Sequence, residues 1–408
     1  MGLFSKSKSY LGVDLGTASV KIIELANQDG KPRLLTYGYL DWSTDIMRNT
    51  APEAKNKVAA MIKAICEKSQ TRSRKAVTAL PSFSVFNSII NLPRMSKKDL
   101  SSAIYWEAKK FVPMPIEEVI LDWKILEPEI SSNYHTIDNK KKEEYFVKNQ
   151  EMADSDFKNK SPKENNEPSQ KSDNKNLRIL LTAAPKNLVK KYIDIFEQAE
   201  LELLSLETES FALGRSLVGG DRATVMVIDL GATTTDIIIM KSGIPLLSRS
   251  IDIGGMTITK SIVNTLNIGE KRAEQFKRDI GISLAAAAGS LADQTQGQLS
   301  NGFNSAAKGW GGVPRAIREV MDSLINEIRY SLDLYQTQSG EHVEKVILSG
   351  GSAFLPNLSE YFAQMLEIKV FIGDPWSRVI YPTELKFSLE ELGPCFAVAI
   401  GLAMREIE

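Results

Sequence analysis

From Gly12 to Leu25 the chain reads GVDLGTASVKIIEL. An apolar run ends at an Asp, turns through a Gly and small hydroxyl residues, and resumes behind a Lys. From Val227 to Met240 the pattern returns as VIDLGATTTDIIIM. Overlaid, Asp14 falls on Asp229, Leu15 on Leu230 and Gly16 on Gly231. Short apolar runs broken by turn residues predict strand, turn and strand at both places. The surroundings repeat as well. In the first half RLLTYGYLDW adds a strand, Val58, Met61, Ile62 and Ile65 share one helix face, and KAVTALP reads as a buried strand. In the second half PLLSRSIDI adds a strand, and Ile317, Val320, Leu324, Ile328 and Tyr335 stripe a long helix. VEKVILSGG then reads as a buried strand, and PNLSEYFAQML as a helix opening near Pro356. The shared β-β-β-α-β order predicts a duplicated α/β domain with a cleft between the copies.

Between the halves the texture changes. From Ser82 to about Glu127 the pattern gives a strand, a helix with Ser96 and Asp99 placed as a capping box, and another strand. This is a small inserted α+β unit. Residues 138–176 are rich in Lys, Glu, Asp, Asn and Ser, too poor in apolar surface to offset ordering, and predict a disordered loop. Residues 285–312 are rich in Gly, Ala, Ser and Gln and predict a mobile loop. The organisation expected is a first half at 1–81, an inserted subdomain at 82–176 and a return with a connecting helix at 177–222. A second half at 223–392 and a closing helix at 393–408 complete it.

Composition narrows the chemistry. A net charge of −1 gives no overall basic field, so a nucleic-acid partner is not expected. Cys66 and Cys395 lie far apart with no CxxC pair, which predicts a reducing, cytoplasmic compartment. His135 and His342 are the only histidines, so neither a zinc site nor a Ser-His-Asp triad is expected. No run approaches the roughly 18 apolar residues of a membrane span.

The repeated turn differs from a P-loop, which leads into a helix and needs Gly-Lys-Ser/Thr. Gly16 and Gly231 let the backbone approach a ligand, and the amides that follow, Ala232 included, can converge on an anion. Thr17, Ser19, Thr233 and Thr234 offer hydroxyls, and Lys21 offers a charge. Two such turns facing each other can hold a polyphosphate. Asp14 and Asp229 can then hold a hydrated Mg²⁺, which keeps several waters and needs few protein carboxylates. A third stretch, LSGGSAFLP, places Gly350 and Gly351 to pass close to a nucleoside.

Together these pieces resemble the actin-like ATPase superfamily. The resemblance implies an α/β, actin-like ATPase fold: duplicated ribonuclease-H-like domains with an inserted FtsA/PilM-type 1C subdomain. It makes Asp14–Lys21 and Asp229–Thr234 the two phosphate motifs, and Gly350, Gly351, Ser352 and Phe354 part of the adenosine motif. TESFAL and GPCFAVAIGLA look like the connecting helices, and Glu274 and Lys277 match the Glu-x-x-Lys helix that reaches ribose and adenine. Glu209 falls where the superfamily keeps a residue that orders the attacking water, although the usual following Pro is missing and Glu207 competes for the role.

Within the superfamily the chain resembles the PilM family of type IV pilus assembly. The stretches that carry this are MGLFSKSKSYLGVDLGTASVKIIEL, AIYWEAKKFVPMPIEEVILDW, LRILLTAAPKNLVKKYIDIFEQAELELLSLETESFAL and INEIRYSLDLYQTQ. The resemblance implies ATP and Mg²⁺ as cofactors and a cytoplasmic scaffold peripheral to the inner membrane. The implied partner is the N-terminal tail of a PilN-like bitopic protein, held in a groove between the inserted unit and the first half. The pilus ATPase complex is a further implied partner. Two alternatives stand beside this: an FtsA/MreB-like filament former and a small-molecule kinase of the same fold. The absence of an amphipathic helix after GLAMREIE argues against FtsA, and the lack of a placeable base argues against a kinase.

Overall fold

The computed structural model describes residues 8–42, 51–126, 176–282 and 312–407. The predicted loops at 138–176 and 285–312 lie outside the described residues, apart from the edges of each. In chain order come β1 (Ser9–Leu15), β2 (Ser19–Gln28), β3 (Lys31–Asp41), α1 (Pro52–Lys68), β4 (Lys75–Leu80) and β5 (Phe86–Leu92). Then follow α2 (Lys97–Phe111), β6 (Val119–Ile125), β7 (Leu177–Pro185), α3 (Lys186–Gln198), β8 (Glu202–Thr208) and α4 (Glu209–Leu213). The second half has β9 (Thr224–Leu230), β10 (Thr235–Lys241), β11 (Ile244–Ile251), α5 (Gly255–Leu266), α6 (Glu270–Ile280) and α7 (Gly312–Ser339). It ends with β12 (Lys345–Ser349), α8 (Leu358–Leu366), β13 (Lys369–Ile372) and α9 (Lys386–Met404).

Two five-stranded sheets result, in the orders β3-β2-β1-β4-β8 and β11-β10-β9-β12-β13. The orders are the same pattern drawn twice, so the duplication read from the turns extends through each half. Strand side chains alternate between faces, and here both faces of each sheet are covered. Leu11, Val13, Leu15, Val20 and Ile22 pack outward with Val58 and Ile62 of α1 and Tyr192 and Phe196 of α3. Met226, Ile228, Ile237 and Ile239 pack outward with Ile258 and Ile262 of α5 and Leu324 and Ile328 of α7. Covering both faces is why these strands read as near-continuous apolar runs rather than alternating ones.

The inner faces meet in a shared layer. Val77 and Ala79 of β4, Val225, Val227, Ile238 and Met240 of the second sheet, Ala212 and Leu213 of α4, and Ala397 and Val398 of α9 form one cluster. The stretch Thr383–Met404, which contains α9, is apolar enough by length and composition to cross a membrane, with mean hydropathy 1.4 over its best window. Two thirds of that window is buried (67%), because the helix fills the space between two sheets. Its small residues set the spacing. A Cβ on Gly12 would overlap the carbonyl of Ala399, and a Cβ on Gly401 would overlap that of Ala212. The helix α4 passes into a π turn at Gly214–Val218, a feature that often marks functional sites.

One boundary differs from its sequence reading. The helix at PNLSEYFAQML begins at Leu358 rather than near Pro356, because Asn357 takes a left-handed φ of 63° that no helix residue can adopt.

Of the described residues, 89–110, 123–126 and 176–180 form a second compact unit. To it belong about half of a three-stranded sheet, in the order β5-β7-β6, and nearly all of α2. Ser96 Oγ accepts from the Asp99 amide at 3.3 Å and donates to its carboxylate at 2.6 Å, which ties down the start of α2.

Candidate nucleotide site

The two turns are built alike from their registers. Asp14 sits opposite Lys21 across β1 and β2, and Asp229 sits opposite Asp236 across β9 and β10. All four residues lie on the inner faces of their sheets, at the strand ends where the shared layer of α4 and α9 gives out. Ligands of open α/β sheets bind at the carboxyl ends of strands in such crevices. The turns themselves leave little room. A Cβ on Gly16 would come within 3.2 Å of the Ser19 carbonyl, and one on Gly231 within 2.9 Å of the Thr234 carbonyl. Ser19 and Thr234 are buried, the Thr17 carbonyl accepts from Trp42 Nε1 at 2.8 Å, and the Thr233 hydroxyl is buried with no partner.

The charges do not balance. Lys21 Nζ lies 3.1 Å from Asp14 Oδ2. Burial opposes the charge on Lys21, but Asp14, with Cys395 and Asp229 further off, outweighs it and holds the amine above its ordinary value. On the other side Lys21 answers Asp229 only weakly. Burial, then the charge of Asp236, push the Asp229 carboxyl up to about 7, against a hydrogen bond from Ser349. Glu209 is raised well above its ordinary value by burial, then by Asp236 and Asp14. Asp236, only 7% exposed, is raised by burial and has an oxygen, Oδ1, with no hydrogen-bond partner. Asp14, Asp229, Asp236 and Glu209 are thus linked as a chain of neighbouring acids, and Lys21 pairs with the first of them.

This makes a prediction about pH. Asp229 holds its proton to about pH 7 in the folded chain and to about 4 when unfolded. Between those values the folded state binds more protons, so this group lowers stability as pH rises through the window. Asp229→Asn mimics the protonated form. The nucleotide-free variant is expected to melt above the wild type at pH 8, with the gap closing toward pH 5. A gap that is constant with pH would contradict the crowding of Asp229.

Glu207 and Glu209 are separated by the structure. Glu207 pairs with Arg215 at 2.9 Å and Arg405 at 3.3 Å. Glu209 opens α4 and accepts from the Ser82 amide at 2.9 Å and the Ser82 hydroxyl at 2.8 Å. Of the two, only Glu209 belongs to the acidic cluster.

The third turn packs on the second. Gly350 has φ 84°, and a Cβ there would stand 2.6 Å from the Leu230 carbonyl carbon. The Ser352 amide donates to the Leu230 carbonyl at 3.2 Å. A Cβ on Gly351 would lie 3.8 Å from Cys395 Sγ, and Phe354 is about half exposed (46%). Lys277 Nζ reaches Glu274 at 2.7 Å, the Gly255 carbonyl at 3.1 Å and the Thr259 hydroxyl at 3.0 Å. Burial pulls the Lys277 amine below its ordinary value, against the hydrogen bond to Glu274. A Cβ on Gly255 would come within 2.7 Å of Ser352 Oγ, so Lys277, Gly255 and Ser352 are neighbours beside the second turn.

Three groups escaped the sequence reading. Asp236 is one, although the overlay of the two turns sets it on Lys21. Gly254 and Gly255 are another. The amides of Gly255 and Met256 donate to the carbonyls of Gly231 and Ala232 at 3.0 and 2.8 Å, stitching the start of α5 to the second turn. A Gly-Gly pair just before a helix was the available signal. Ser82 is the third, and its bond to Glu209 spans 127 residues that no local pattern relates.

Two sheets of one order, a helical layer between them and an acidic turn on each define the actin-like fold. The chain belongs to the PilM family: residues 12–138 and 162–286 match the family described as Type IV pilus assembly protein PilM. Residues 226–401 also match the family described as Cell division protein FtsA. Among solved structures, a chain of a PilM-PilN type IV pilus biogenesis complex superposes with TM-score 0.72 at 23% identity, over 98% of both chains. The ethanolamine utilization protein EutJ of Carboxydothermus hydrogenoformans gives TM-score 0.51 at 14% identity, over 97% of this chain and 89% of its own. The cell shape-determining protein MreB of Escherichia coli K12 is 24% identical over 187 residues, covering 41% of this chain and 51% of MreB. The cell division protein FtsA of Bacillus subtilis is 22% identical over 204 residues, covering 48% of this chain and 44% of FtsA. The chain therefore spans about half the length of the curated relatives it matches.

Proposed function

We propose that this chain is an ATP-binding scaffold of type IV pilus assembly, working at the cytoplasmic face of the inner membrane through a PilN-like partner. The observation that carries the nucleotide reading is the pair of matched turns, each with a carboxylate at its strand end, facing one crevice. The residues present fit Mg-ATP. The unpartnered Thr233 hydroxyl, the amides after Gly16 and Gly231, and Lys21 suit phosphate oxygens, while the surplus of carboxylates suits a cation. Among the described residues no group of three or more His, Cys, Asp or Glu could hold a metal directly. Asp14 and Asp229 would therefore hold Mg²⁺ through its waters, as the ion's reluctance to dehydrate favours. The bound cation would neutralise the polyphosphate. The protein's part is to orient it, and Gly350, Gly351, Ser352, Glu274 and Lys277 would take the nucleoside. Nucleotide would set the cleft by favouring one of its conformations.

For the partner, the inserted unit is the proposed receptor of the tail, and α2 now divides into two faces. Leu100, Ile104 and Ala108 are buried, at 4%, 1% and 0% exposure, whereas Trp106 is 54% exposed with Lys109 Nζ 5.6 Å from its ring centre. An exposed aromatic beside a cation suits a short peptide that offers apolar side chains and a few carbonyls. Calorimetry with a synthetic N-terminal tail of the PilN-like protein is expected to give micromolar affinity, about −8 kcal/mol. Trp106→Ala is expected to weaken it about tenfold, with the melting temperature unchanged. No heat of binding to the wild type would remove the partner from the account. Full affinity in Trp106→Ala would move the tail off α2.

A further inference from the structure

The start of α5 follows the second turn residue by residue. The Gly255 amide donates to the Gly231 carbonyl and the Met256 amide to the Ala232 carbonyl. Thr233, next along the turn, lines a cavity together with Met256, Thr257 and Lys260. The nucleoside motif stands at the other end of this row. A Cβ on Gly255 would lie 2.7 Å from Ser352 Oγ and 3.4 Å from Lys277 Nζ. Each helix residue turns the chain by about 100°. Thr259 therefore shares the face of Gly255, and its hydroxyl meets Glu274 at 2.7 Å and Lys277 at 3.0 Å. Met256 and Lys260 sit one step round from that face and flank the cavity instead.

The cavity measures about 400 Å³ and is lined also by Asp252. Asp252 follows Ser248 and Ser250 on alternate positions of β11 and just beyond it. Ser250 is the register partner of Asp236, and Ser248 Oγ lies 3.2 Å from Ser210 Oγ of α4. This row thus runs along the inner face, past the buried acids, to the cavity. The cavity stands at the end of the second turn that is far from the nucleoside motif, beside the acids.

Its wall carries one charge of each sign. Lys260 is exposed and makes no hydrogen bond or ion pair among the described residues. Asp252 is exposed as well. Such a wall does not concentrate free anions. It can take an anionic group that the rest of a bound ligand delivers, because the tether then sets the local concentration. Of the two charged residues, the lysine can close on that group, since its ammonium rides on a flexible four-carbon stem. Thr233 adds a hydroxyl that no protein group satisfies.

We propose that this cavity takes the terminal phosphoryl group of a nucleoside triphosphate, and that Lys260 is the residue that distinguishes a triphosphate from a diphosphate. This rests on the nucleotide reading given above and names the part of the ligand that the cavity holds. The phosphates common to both ligands stay with the two turns, and the nucleoside stays with Gly350–Ser352, so a diphosphate leaves Lys260 in solvent.

The experiment titrates the full chain, with Mg²⁺, against fluorescent ADP and against a non-hydrolysable triphosphate analogue carrying the same fluorophore. Lys260→Ala is expected to weaken the triphosphate by about fivefold, the upper end for an exposed ion pair, and to leave ADP within about twofold. The ratio of the two dissociation constants therefore shifts. Lys260→Arg, which keeps the charge, is expected to hold the ratio of the wild type. Both variants should melt with the wild type, because the side chain they replace is exposed and unpaired. A ratio unchanged in Lys260→Ala, whether because both ligands weaken equally or because neither does, would overturn the proposal. So would a ratio shifted as far in Lys260→Arg. A wild type that binds neither ligand would instead overturn the nucleotide reading, and the proposal with it.

Discussion

Asp14→Ala and Asp229→Ala are each expected to weaken Mg-ATP binding by about 10- to 100-fold, while shifting the nucleotide-free protein in opposite directions. The size comes from the loss of one charge-assisted hydrogen bond to a metal-bound water, about 1.5–3 kcal/mol. The opposite signs come from the neighbours. Asp14 is the partner of Lys21 at 3.1 Å, so removing it strands a buried ammonium. Asp229 stands beside Asp236 and Asp14, and removing it relieves like-charge crowding. Without nucleotide, Asp14→Ala should melt below the wild type and Asp229→Ala at or above it at pH 8. Equal analogue affinity in both variants and the wild type would sink the model of two turns around one ligand. Loss of binding in both with a common fall in stability would mean that the acids only support the fold.

The largest expected effect on stability is at a glycine. In an exposed helix Gly→Ala stabilises by about 0.5–1 kcal/mol. At Gly401 the sign should reverse. A Cβ there would sit on the carbonyl of Ala212, 2.5 Å from its carbon, and both atoms belong to backbones in the layer between the sheets. Neither can rotate away, so α4 and α9 must part. The cost expected is about 3 kcal/mol, the upper range for overpacking, with a fall in melting temperature of about 5 °C or more. Gly220, where a Cβ meets nothing within 4 Å, is the control. A Gly401→Ala protein that melts with the wild type would mean that the two helices do not cross this closely.

The doubled turn was legible because everything that makes it is local. Asp, Gly and a small hydroxyl residue within five positions specify a strand that ends, turns and returns. The sheet order then follows from two copies of one pattern. What stayed hidden depends on partners distant in sequence. Glu207 and Glu209 are two residues apart and look alike as letters. The start of α4 at Glu209 turns one away from the other, and Arg215 and Arg405 claim Glu207. Asp236 could have been found by carrying the overlay of the two turns to its end, where it meets Lys21. Its meaning, a second acid in place of a base, appears only when Asp229 and Glu209 are seen beside it. Likewise α2 showed its apolar positions in the sequence, but which of them are buried required the fold. The closing helix read as a row of small residues, while the reason for their size lies in Gly12 and Ala212, both far away in the chain.

The most direct test of the central claim is a crystal structure of the chain with Mg²⁺ and a non-hydrolysable ATP analogue. The account predicts a polyphosphate between the turns Gly16–Ser19 and Gly231–Thr234, with Lys21 on a phosphate oxygen. The cation should reach Asp14 and Asp229 through its waters, and the nucleoside should lie against Gly350–Ser352. A nucleotide bound by one turn alone, or a cation away from both aspartates, would contradict it.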